Sequence, residues 1–305
     1  MTSRIFTLAV NAIERGAFPR TRKWAWKRLY HLLARRWADV DWRFMNYGYL
    51  PPPDAAPFEL AVEDEADRAF IGLYHQAVEG LPIEAARVLE VGSGRGGGAS
   101  YLARRFRPQA IVGVDFSPAT VQRAQDLSAG PSGLVFRTGD AEALPFADNS
   151  FDIVVNVESS HCYADMSAFI AEAVRVLRLG GWFCWADMRS AKMIPALDRS
   201  FAHPELALVA QTDLTEGVVR ALDATDARKL GRIGQTRLLR RFLLEFAGTH
   251  GSVLYQGLRS GAVVYQARRY CKVPPADRVE QGAKPNASQS RNRPAVDCAS
   301  QEADT

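Results

Sequence analysis

The stretch Arg87-Val-Leu-Glu-Val91-Gly-Ser-Gly-Arg-Gly96 predicts a short apolar strand that runs into a glycine-rich turn. Glycine is needed where the backbone turns sharply and must approach a ligand without a Cβ in the way. The next residues, from about Gly97 to Phe106, have the pattern of a helix. A strand, a glycine turn and a helix in this order are typical of cofactor sites in α/β proteins.

Strands and helices continue to alternate after this turn. Strands are predicted at 110–115, 134–138, 151–157 and 181–186, and helices at about 118–127 and 166–177. This alternation implies a parallel sheet that helices cover on both faces. Residues 190–250 are predicted to be helical and irregular, and residues 261–270 to form a last strand.

The sequence predicts three regions. Residues 1–60 are expected to form an N-terminal helical cap or lid, residues 61–272 the α/β domain with a substrate lid at about 190–258, and residues 273–305 a disordered polar tail. The first forty residues mix basic and aromatic side chains in an amphipathic helical pattern. That pattern predicts either a cap that packs on the domain or a contact with an anionic membrane or a carrier domain.

Composition narrows the classes of function. The net charge is +4, and no basic stripe continues beyond the first forty residues, so a nucleic acid partner is not expected. No apolar run reaches roughly 18 residues and the start lacks the pattern of a signal peptide, so a cytoplasmic location is expected. The four cysteines form no CxxC pair and no histidine cluster has zinc-like spacing, so no metal is expected.

The glycine turn by itself leaves two cofactors open. Read through Gly97, it also fits the G-x-G-x-x-G pattern of nicotinamide dinucleotide sites. Asp115 ends the next strand, where a carboxylate can bind ribose hydroxyls in either kind of cofactor.

Three further features separate the two possibilities. Glu90 precedes the turn, Gly139-Asp140-Ala141-Glu142 follows the third strand, and Arg175-Val-Leu-Arg-Leu-Gly-Gly181 follows the fourth. Together they resemble the motif series of the class I S-adenosylmethionine-dependent methyltransferases, with Leu179 in place of the usual proline. The resemblance implies an α/β, Rossmann-like, doubly wound seven-stranded sheet, here with an N-terminal helical cap.

The resemblance also implies which residues bind S-adenosylmethionine. Asp115 would hold the ribose hydroxyls, Phe116 would border the adenine, and Asp140 would bind the adenine amine beside Ala141. The methionine part would be surrounded by Glu90 and the turn, that is, by Glu90, Gly92, Ser93, Gly94 and Gly96. Val157 and Tyr49 complete the predicted set. Tyr49 lies in a loop that closes over the cofactor in related enzymes, with aromatic core packing as the alternative.

A narrower resemblance concerns the acceptor. The stretches 44–49, 71–75, 94–102 and 156–163, and loosely the segment ending at Tyr265, resemble the phthiotriolone dimycocerosate methyltransferases. Those enzymes methylate a hydroxyl on a long polyketide-derived lipid, and polyketide and natural-product O-methyltransferases share the general pattern. The resemblance therefore implies O-methylation of a lipid or polyketide-type small molecule.

Glu158 and His161 are the predicted catalytic pair. They follow the fourth strand, and ligands of an open parallel sheet bind beyond the carboxyl ends of its strands, where the strand order reverses. His161 titrates near neutrality and is predicted to remove the hydroxyl proton, with Glu158 orienting its imidazole. Alternatively, His161 only bonds backbone or lines the pocket, and Glu158 bonds the cofactor loop. Two other functions also remain possible from the sequence. One is methylation of carbon or nitrogen, and the other is cofactor binding without catalysis.

Overall fold

A seven-stranded mixed sheet forms the centre of a computed structural model, which describes residues 42–128, 133–233 and 240–275. The strands are β1 (Arg87–Val91), β2 (Ala110–Asp115), β3 (Leu134–Thr138), β4 (Phe151–Val157), β5 (Leu177–Ser190), β6 (Leu206–Asp213) and β7 (Val263–Lys272). Their order is β3-β2-β1-β4-β5-β7-β6. Strands β1 to β5 pair in parallel, whereas β7 pairs antiparallel with β5 and β6. The predicted doubly wound α/β fold is confirmed.

Helices lie between these strands along the chain. They are α1 (Arg68–Val78), α2 (Gly97–Phe106), α3 (Pro118–Leu127), α4 (Met166–Val176), α5 (Ile194–Phe201), α6 (Thr215–Ile233), α7 (Arg240–Phe246) and α8 (Val253–Arg259). Short 3₁₀ turns occur at Val62–Asp67, Ser160–Cys162 and Ala191–Met193.

Apolar side chains cover the sheet on both faces. Along β1, Val88 belongs to one buried cluster together with Ile71 of α1. Leu89 belongs to a second cluster together with Phe169 of α4. Successive side chains of a strand point to opposite faces, so a strand buried on both sides is apolar at nearly every position. This explains why the continuous apolar runs of β1 and β4 predicted strands correctly.

Strand β6 is the main difference from the sequence prediction. It lies inside residues 190–250, which were predicted to be helical and irregular, yet it forms the edge of the central sheet beside β7. Most of its side chains are exposed, including Leu208 at 53% and Val209 at 43%. Because β6 buries so little, its sequence lacks the burial pattern that identifies a strand, and a short apolar run cannot be told from a helix.

An extended segment at residues 42–50, called here the crossing segment, runs over α1 and α6. The Tyr49 N–H donates to Ala69 O at 2.7 Å, and the Leu50 N–H donates to Gly217 O at 3.0 Å. Part of the predicted N-terminal cap is therefore an extended chain held by backbone hydrogen bonds. The rest of that cap (residues 1–41), with its basic aromatic pattern, and the predicted tail beyond residue 275 lie outside the described residues.

The sheet topology places a crevice between β1 and β4. Strand β1 pairs with β2 on one side and with β4 on the other, so the chain winds in opposite directions from this point. Loops that follow such adjacent strands diverge and leave room for a ligand at their carboxyl ends. Within the described ranges, no helix is both long and apolar enough to cross a lipid bilayer.

Candidate active site

A cavity of about 860 Å³, including its open mouth, lies at the carboxyl ends of β1, β2, β3 and β4. Its wall includes Gly92 and Gly94 of the glycine turn, Asp115 and Phe116 after β2, and Asp140 and Ala141 after β3. Glu158, Ser159, Cys162 and Tyr163 after β4 complete one side, and Met45 of the crossing segment lies on the wall too. Residues from four separate loops thus meet at the predicted crevice.

The glycine turn has a geometry that side chains would obstruct. Gly92 has φ +78°, and a Cβ there would lie 2.2 Å from Ser159 Oγ. Gly94 has φ +53°, and its N–H donates to Asp115 Oδ2 at 3.1 Å. Residues with a Cβ rarely adopt such left-handed conformations. Glycine therefore lets the chain turn tightly and keeps the wall of the cavity open.

Asp115 and Asp140 are both held by backbone donors at the wall. Asp115 Oδ1 accepts from the Ser117 N–H at 2.9 Å, and Asp140 Oδ1 accepts from the Glu142 N–H at 3.0 Å. Burial raises the pKa of Asp115 above its usual value, while the hydrogen bonds from Ser117 and Gly94 oppose the rise. Each carboxylate oxygen can accept more than one hydrogen bond, so both aspartates can still bind ligand hydroxyls or amines.

The charge of the cavity favours a cation. Its wall carries Asp115, Asp140 and Glu142 together with Glu158, whose pKa of about 8 leaves it largely protonated at neutral pH, and none of its described residues is a lysine or an arginine. A pyrophosphate would meet these carboxylates without a basic partner, whereas a positively charged ligand would be attracted to them. The cavity therefore fits a cationic nucleoside better than a dinucleotide.

Five residues of the predicted cofactor set lie away from the cavity wall: Glu90, Ser93, Gly96, Val157 and Tyr49. Glu90 points into the protein, where Tyr74 Oη donates to Glu90 Oε1 at 2.7 Å, and burial raises the pKa of this carboxyl to about 7. Ser93 and Val157 are buried. Gly96 lies against the ring of Phe136. A Cβ at position 96 would lie 2.5 Å from that ring.

The packing of Tyr49 differs from its predicted position beside the cofactor. Its ring lies against Gly217 of α6, where a Cβ would come within 2.1 Å of the ring. The aromatic packing alternative therefore describes Tyr49, and Met45 is the residue of the crossing segment that reaches the cavity. The resemblance implied that this segment lies over the cofactor, but it could not show which side chain points inward.

Glu158 occupies a strained position at the end of β4. Its φ is +48°, a left-handed value that is uncommon for a residue with a side chain. Glu158 Oε2 accepts from the Tyr47 N–H and from Tyr265 Oη, both at 2.9 Å. Removal from water raises the pKa of Glu158 to about 8, although these hydrogen bonds and the charge of His161 act in the opposite direction. Glu158 can therefore exchange a proton near neutral pH.

His161 is paired with a carboxylate other than the predicted one. His161 Nδ1 lies 2.9 Å from Asp187 Oδ1, and the His161 N–H donates to Asp187 Oδ2 at 2.9 Å. The prediction that Glu158 orients the imidazole is wrong, because Asp187 holds both the ring and the backbone of His161. His161 does not itself line the cavity, but it belongs to the 3₁₀ turn whose neighbours Ser159 and Cys162 do.

Asp187 is fully buried and kept ionised by its neighbours. Arg189 Nη1 lies 3.1 Å from Asp187 Oδ2, and Ser160 Oγ donates to the same oxygen at 2.7 Å. Burial would raise the pKa of Asp187, but the charges of His161 and Arg189 outweigh it and hold the pKa well below its usual value. Burial also lowers the pKa of His161, yet Cys162 and Asp187 reverse this and raise it well above its usual value.

Comparison with known proteins identifies the family of this site. Residues 89–185 match a family model described as a methyltransferase domain. The phthiotriol/phenolphthiotriol dimycocerosates methyltransferase of Mycobacterium leprae is 37% identical over 254 residues, which cover 82% of this chain and 93% of that relative. The chain belongs to the class I S-adenosylmethionine-dependent methyltransferases.

Two further similarities concern another relative and a solved structure. It is 39% identical over 260 residues to the fatty-acid O-methyltransferase of Mycolicibacterium smegmatis, covering 83% of the methyltransferase and 91% of the relative. The structure of geranyl diphosphate C-methyltransferase from Streptomyces coelicolor, solved with S-adenosyl-L-homocysteine, matches with a TM-score of 0.58. At 18% identity over 80% of this chain and 98% of the other, that match shows the fold alone.

S-adenosylmethionine is the cofactor of this methyltransferase, and the prediction of an enzyme is confirmed over a non-catalytic binding protein. The acidic cavity with its open glycine wall fits a sulfonium nucleoside of positive charge. Among the described residues, no group of three or more histidine, cysteine, aspartate or glutamate side chains has the arrangement of a metal site.

The sequence analysis did not identify a hydrogen-bonded cluster at the cavity wall. Asn156 Nδ2 donates to Ser159 Oγ at 2.8 Å and to Tyr163 Oη at 3.0 Å, and also to Val91 O at 2.9 Å. These bonds tie the end of β1 to the loop after β4 across the crevice. The polar residues were visible in the stretch 156–163, but their partners on β1 are distant in sequence.

Proposed function

We propose that this methyltransferase transfers a methyl group to a hydroxyl of a lipid or polyketide-type small molecule, with His161 as the general base. The observation that carries the proposal is the His161–Asp187 pair, whose Nδ1–Oδ1 distance is 2.9 Å, beside a cavity suited to a cationic nucleoside. A histidine held by a buried carboxylate is a recurrent arrangement for proton transfer from a hydroxyl.

The relatives support an oxygen on a lipid as the acceptor. One is named for phthiotriol and phenolphthiotriol dimycocerosates, and another is named a fatty-acid O-methyltransferase. Both cover more than four-fifths of this chain. We extend the lipid-type acceptor and the oxygen target to this methyltransferase on that basis.

When bound, S-adenosylmethionine supplies an electrophilic methyl group on a positively charged sulfonium. The Gly92–Gly94 turn, Asp115 and Asp140 would hold it, because they form the acidic wall of the cavity. Because Asp187 engages Nδ1 of His161, we propose that Nε2 exchanges the proton. As His161 takes the hydroxyl proton, the buried charge of Asp187 stabilises the imidazolium that forms.

The raised pKa of His161 sets the pH at which the base can act. In the free protein the imidazole binds a proton more tightly than an ordinary histidine, because Cys162 and Asp187 outweigh the effect of burial. Only the deprotonated form accepts a proton, so the rate should rise as the pH increases through this pKa. A cation in the adjacent cavity repels the imidazolium, which makes His161 easier to deprotonate.

Substitution of His161 separates this mechanism from methylation of carbon or nitrogen without a base. We expect His161→Ala to lower kcat at least about 100-fold, the range for a positioned base, with unchanged affinity for S-adenosylhomocysteine. His75→Ala is the matched control, because His75 lies on α1, outside the cavity wall and the proposed lid, where its ring stacks on Phe58 and bonds the Tyr101 hydroxyl. A loss of activity below a few-fold in His161→Ala would remove the base from the mechanism.

We also propose that the acceptor lid comprises about residues 190–258. Helices α6 and α7 of this region contribute Thr225, Lys229 and Phe246 to a second cavity beside the crossing segment. Loops and helices added at the carboxyl end of a parallel sheet are where related folds vary their substrates.

A further inference from the structure

The second cavity encloses about 640 Å³, including its mouth, and is bordered by the crossing segment. Met45 lines both cavities. Tyr47 lines the second cavity, and its N–H binds Glu158, which lines the first. The crossing segment therefore borders both spaces, and a ligand in the second cavity lies close to Glu158 and the cofactor cavity.

The wall of the second cavity is mainly apolar and aromatic. Trp42, Phe44 and Met45 form one side, and Phe70, Phe246 and Ala247 form another. Most of its polar groups are already paired within the protein. Arg228 Nη2 lies 3.1 Å from Asp67 Oδ1, and Thr225 Oγ1 donates to Ala221 O at 2.7 Å.

Lys229 is a charged residue of this wall that is not paired in this way. Its Nζ is buried and has no hydrogen-bond partner among the described residues, and the same holds for the uncharged Asn46 Oδ1. Lys229 Nζ lies 5.8 Å from the ring centroid of Tyr47. Burial lowers the pKa of Lys229 to about 8, although the negative charges of Glu158 and Asp226 act against this change.

A buried ammonium without a hydrogen-bonding partner is costly, because the protein replaces the water that would solvate it with apolar groups. An anionic ligand in the cavity would supply the missing partner of Lys229. We propose that the second cavity is the acceptor site and that Lys229 binds an anionic oxygen, such as a carboxylate, on an acceptor with an apolar chain. This inference names the substrate class and rests on the proposed function.

The assignment follows from complementary chemistry. The aromatic wall buries the acceptor chain, and an ammonium forms a strong charge-assisted hydrogen bond with a carboxylate in such surroundings. Lys229 on α6 fixes the charged end of the acceptor. The reactive oxygen then lies toward the crossing segment, on the side of Glu158 and the cofactor cavity.

Binding of a matched pair of ligands tests the inference without any methyl transfer. Decanoate and 1-decanol share a chain length and differ in the anionic group, and calorimetry on the full chain with S-adenosylhomocysteine present measures both. We expect Lys229→Met to weaken decanoate about tenfold or more, as for one lost charge-assisted hydrogen bond, and to change decanol less than about threefold. Lys229→Arg should retain part of the decanoate affinity.

Two controls keep the result interpretable. Arg105→Met removes a positive charge from an exposed side chain of α2, outside the proposed lid and both cavity walls, and should leave both affinities unchanged. The melting temperature of Lys229→Met should equal or exceed that of the unmodified protein, because the variant removes a buried charge that lacks a partner.

The inference is overturned if Lys229→Met binds decanoate as well as the unmodified protein does, or if the unmodified protein binds decanoate no better than decanol. A lower melting temperature together with equal losses for both ligands would assign Lys229 a structural role instead. The proposed function is judged separately from turnover of the His161→Ala variant, so either hypothesis can fail without the other.

Discussion

At the scale of single residues, the arrangement of the site depends on which side chains the two carboxylates Asp187 and Glu158 bind. Asp187 follows β4 in sequence by thirty residues and reaches His161 only because β5 lies beside β4 in the sheet. Glu158 lies only three residues from His161, but its carboxylate accepts hydrogen bonds from the Tyr47 N–H and the Tyr265 hydroxyl instead. The sequence indicated the residue types needed for proton transfer, but the pairing depends on strand neighbours that sequence spacing does not show.

Replacement of Asp187 should shift the pH dependence of the reaction. The anionic carboxylate raises the pKa of His161, so Asp187→Asn should lower that pKa and move the rising limb of the pH–rate profile to lower pH. The plateau should also fall, because the imidazolium loses its stabilising charge. A kcat profile against pH measures both effects, and a rising limb that stays in place would show that His161 is not the titrating base.

At the scale of elements, the glycine turn and the strands around it were predictable, because they form local patterns. The turn after β1 needs residues that adopt a left-handed backbone conformation, which glycine does readily. Strands β1 to β5 have apolar runs of strand length. The edge strand β6 and the side of the crossing segment that faces inward depend on tertiary neighbours. Strand β6 is held mostly by backbone hydrogen bonds to β7, which carry little sequence information, and the crossing segment is held by partners that are distant in sequence, such as Glu158 for the Tyr47 N–H.

A substitution in the turn should separate the effect of crowding from that of backbone conformation. Gly92→Ala places a methyl group 2.2 Å from Ser159 Oγ, so we expect affinity for S-adenosylhomocysteine to fall about tenfold or more as the turn is displaced. Gly80→Ala is the matched control, because Gly80 has the same φ of +78° and nothing within 4 Å of its Cβ position. It should cost about 1 kcal/mol of stability through conformation alone.

Calorimetry with S-adenosylhomocysteine and urea denaturation measure the two quantities for each variant. Equal cofactor affinities in the two variants would show that the space beside Gly92 does not matter for binding.

At the scale of the whole molecule, the buried acidic groups make stability depend on pH. Folding raises the pKa of Glu158 from its usual value near 4.5 to about 8, so the folded state binds more protons than the unfolded state between these values. This contribution to stability is present at low pH and is lost as the pH rises toward about 8. His161, whose pKa is also raised, acts in the same direction.

We therefore expect the free protein to be more stable at pH 6 than at pH 8.5. Glu158→Gln should reduce this difference, because glutamine carries no charge to be buried at the higher pH. Urea denaturation at both pH values measures the change. An identical pH dependence in Glu158→Gln and in the unmodified protein would show that Glu158 ionises as easily in the folded state as in water.

The position of β7 carries a consequence for synthesis on the ribosome. A nascent chain that ends before residue 263 has β5 as an open edge and lacks the Tyr265 hydroxyl that binds Glu158. The strand that supplies this donor inserts between β5 and β6, which were both made earlier. The hydrogen bond that positions Glu158 from β7 can therefore form only after nearly all of the domain has been translated, although every described residue of the cofactor wall has been made by residue 163.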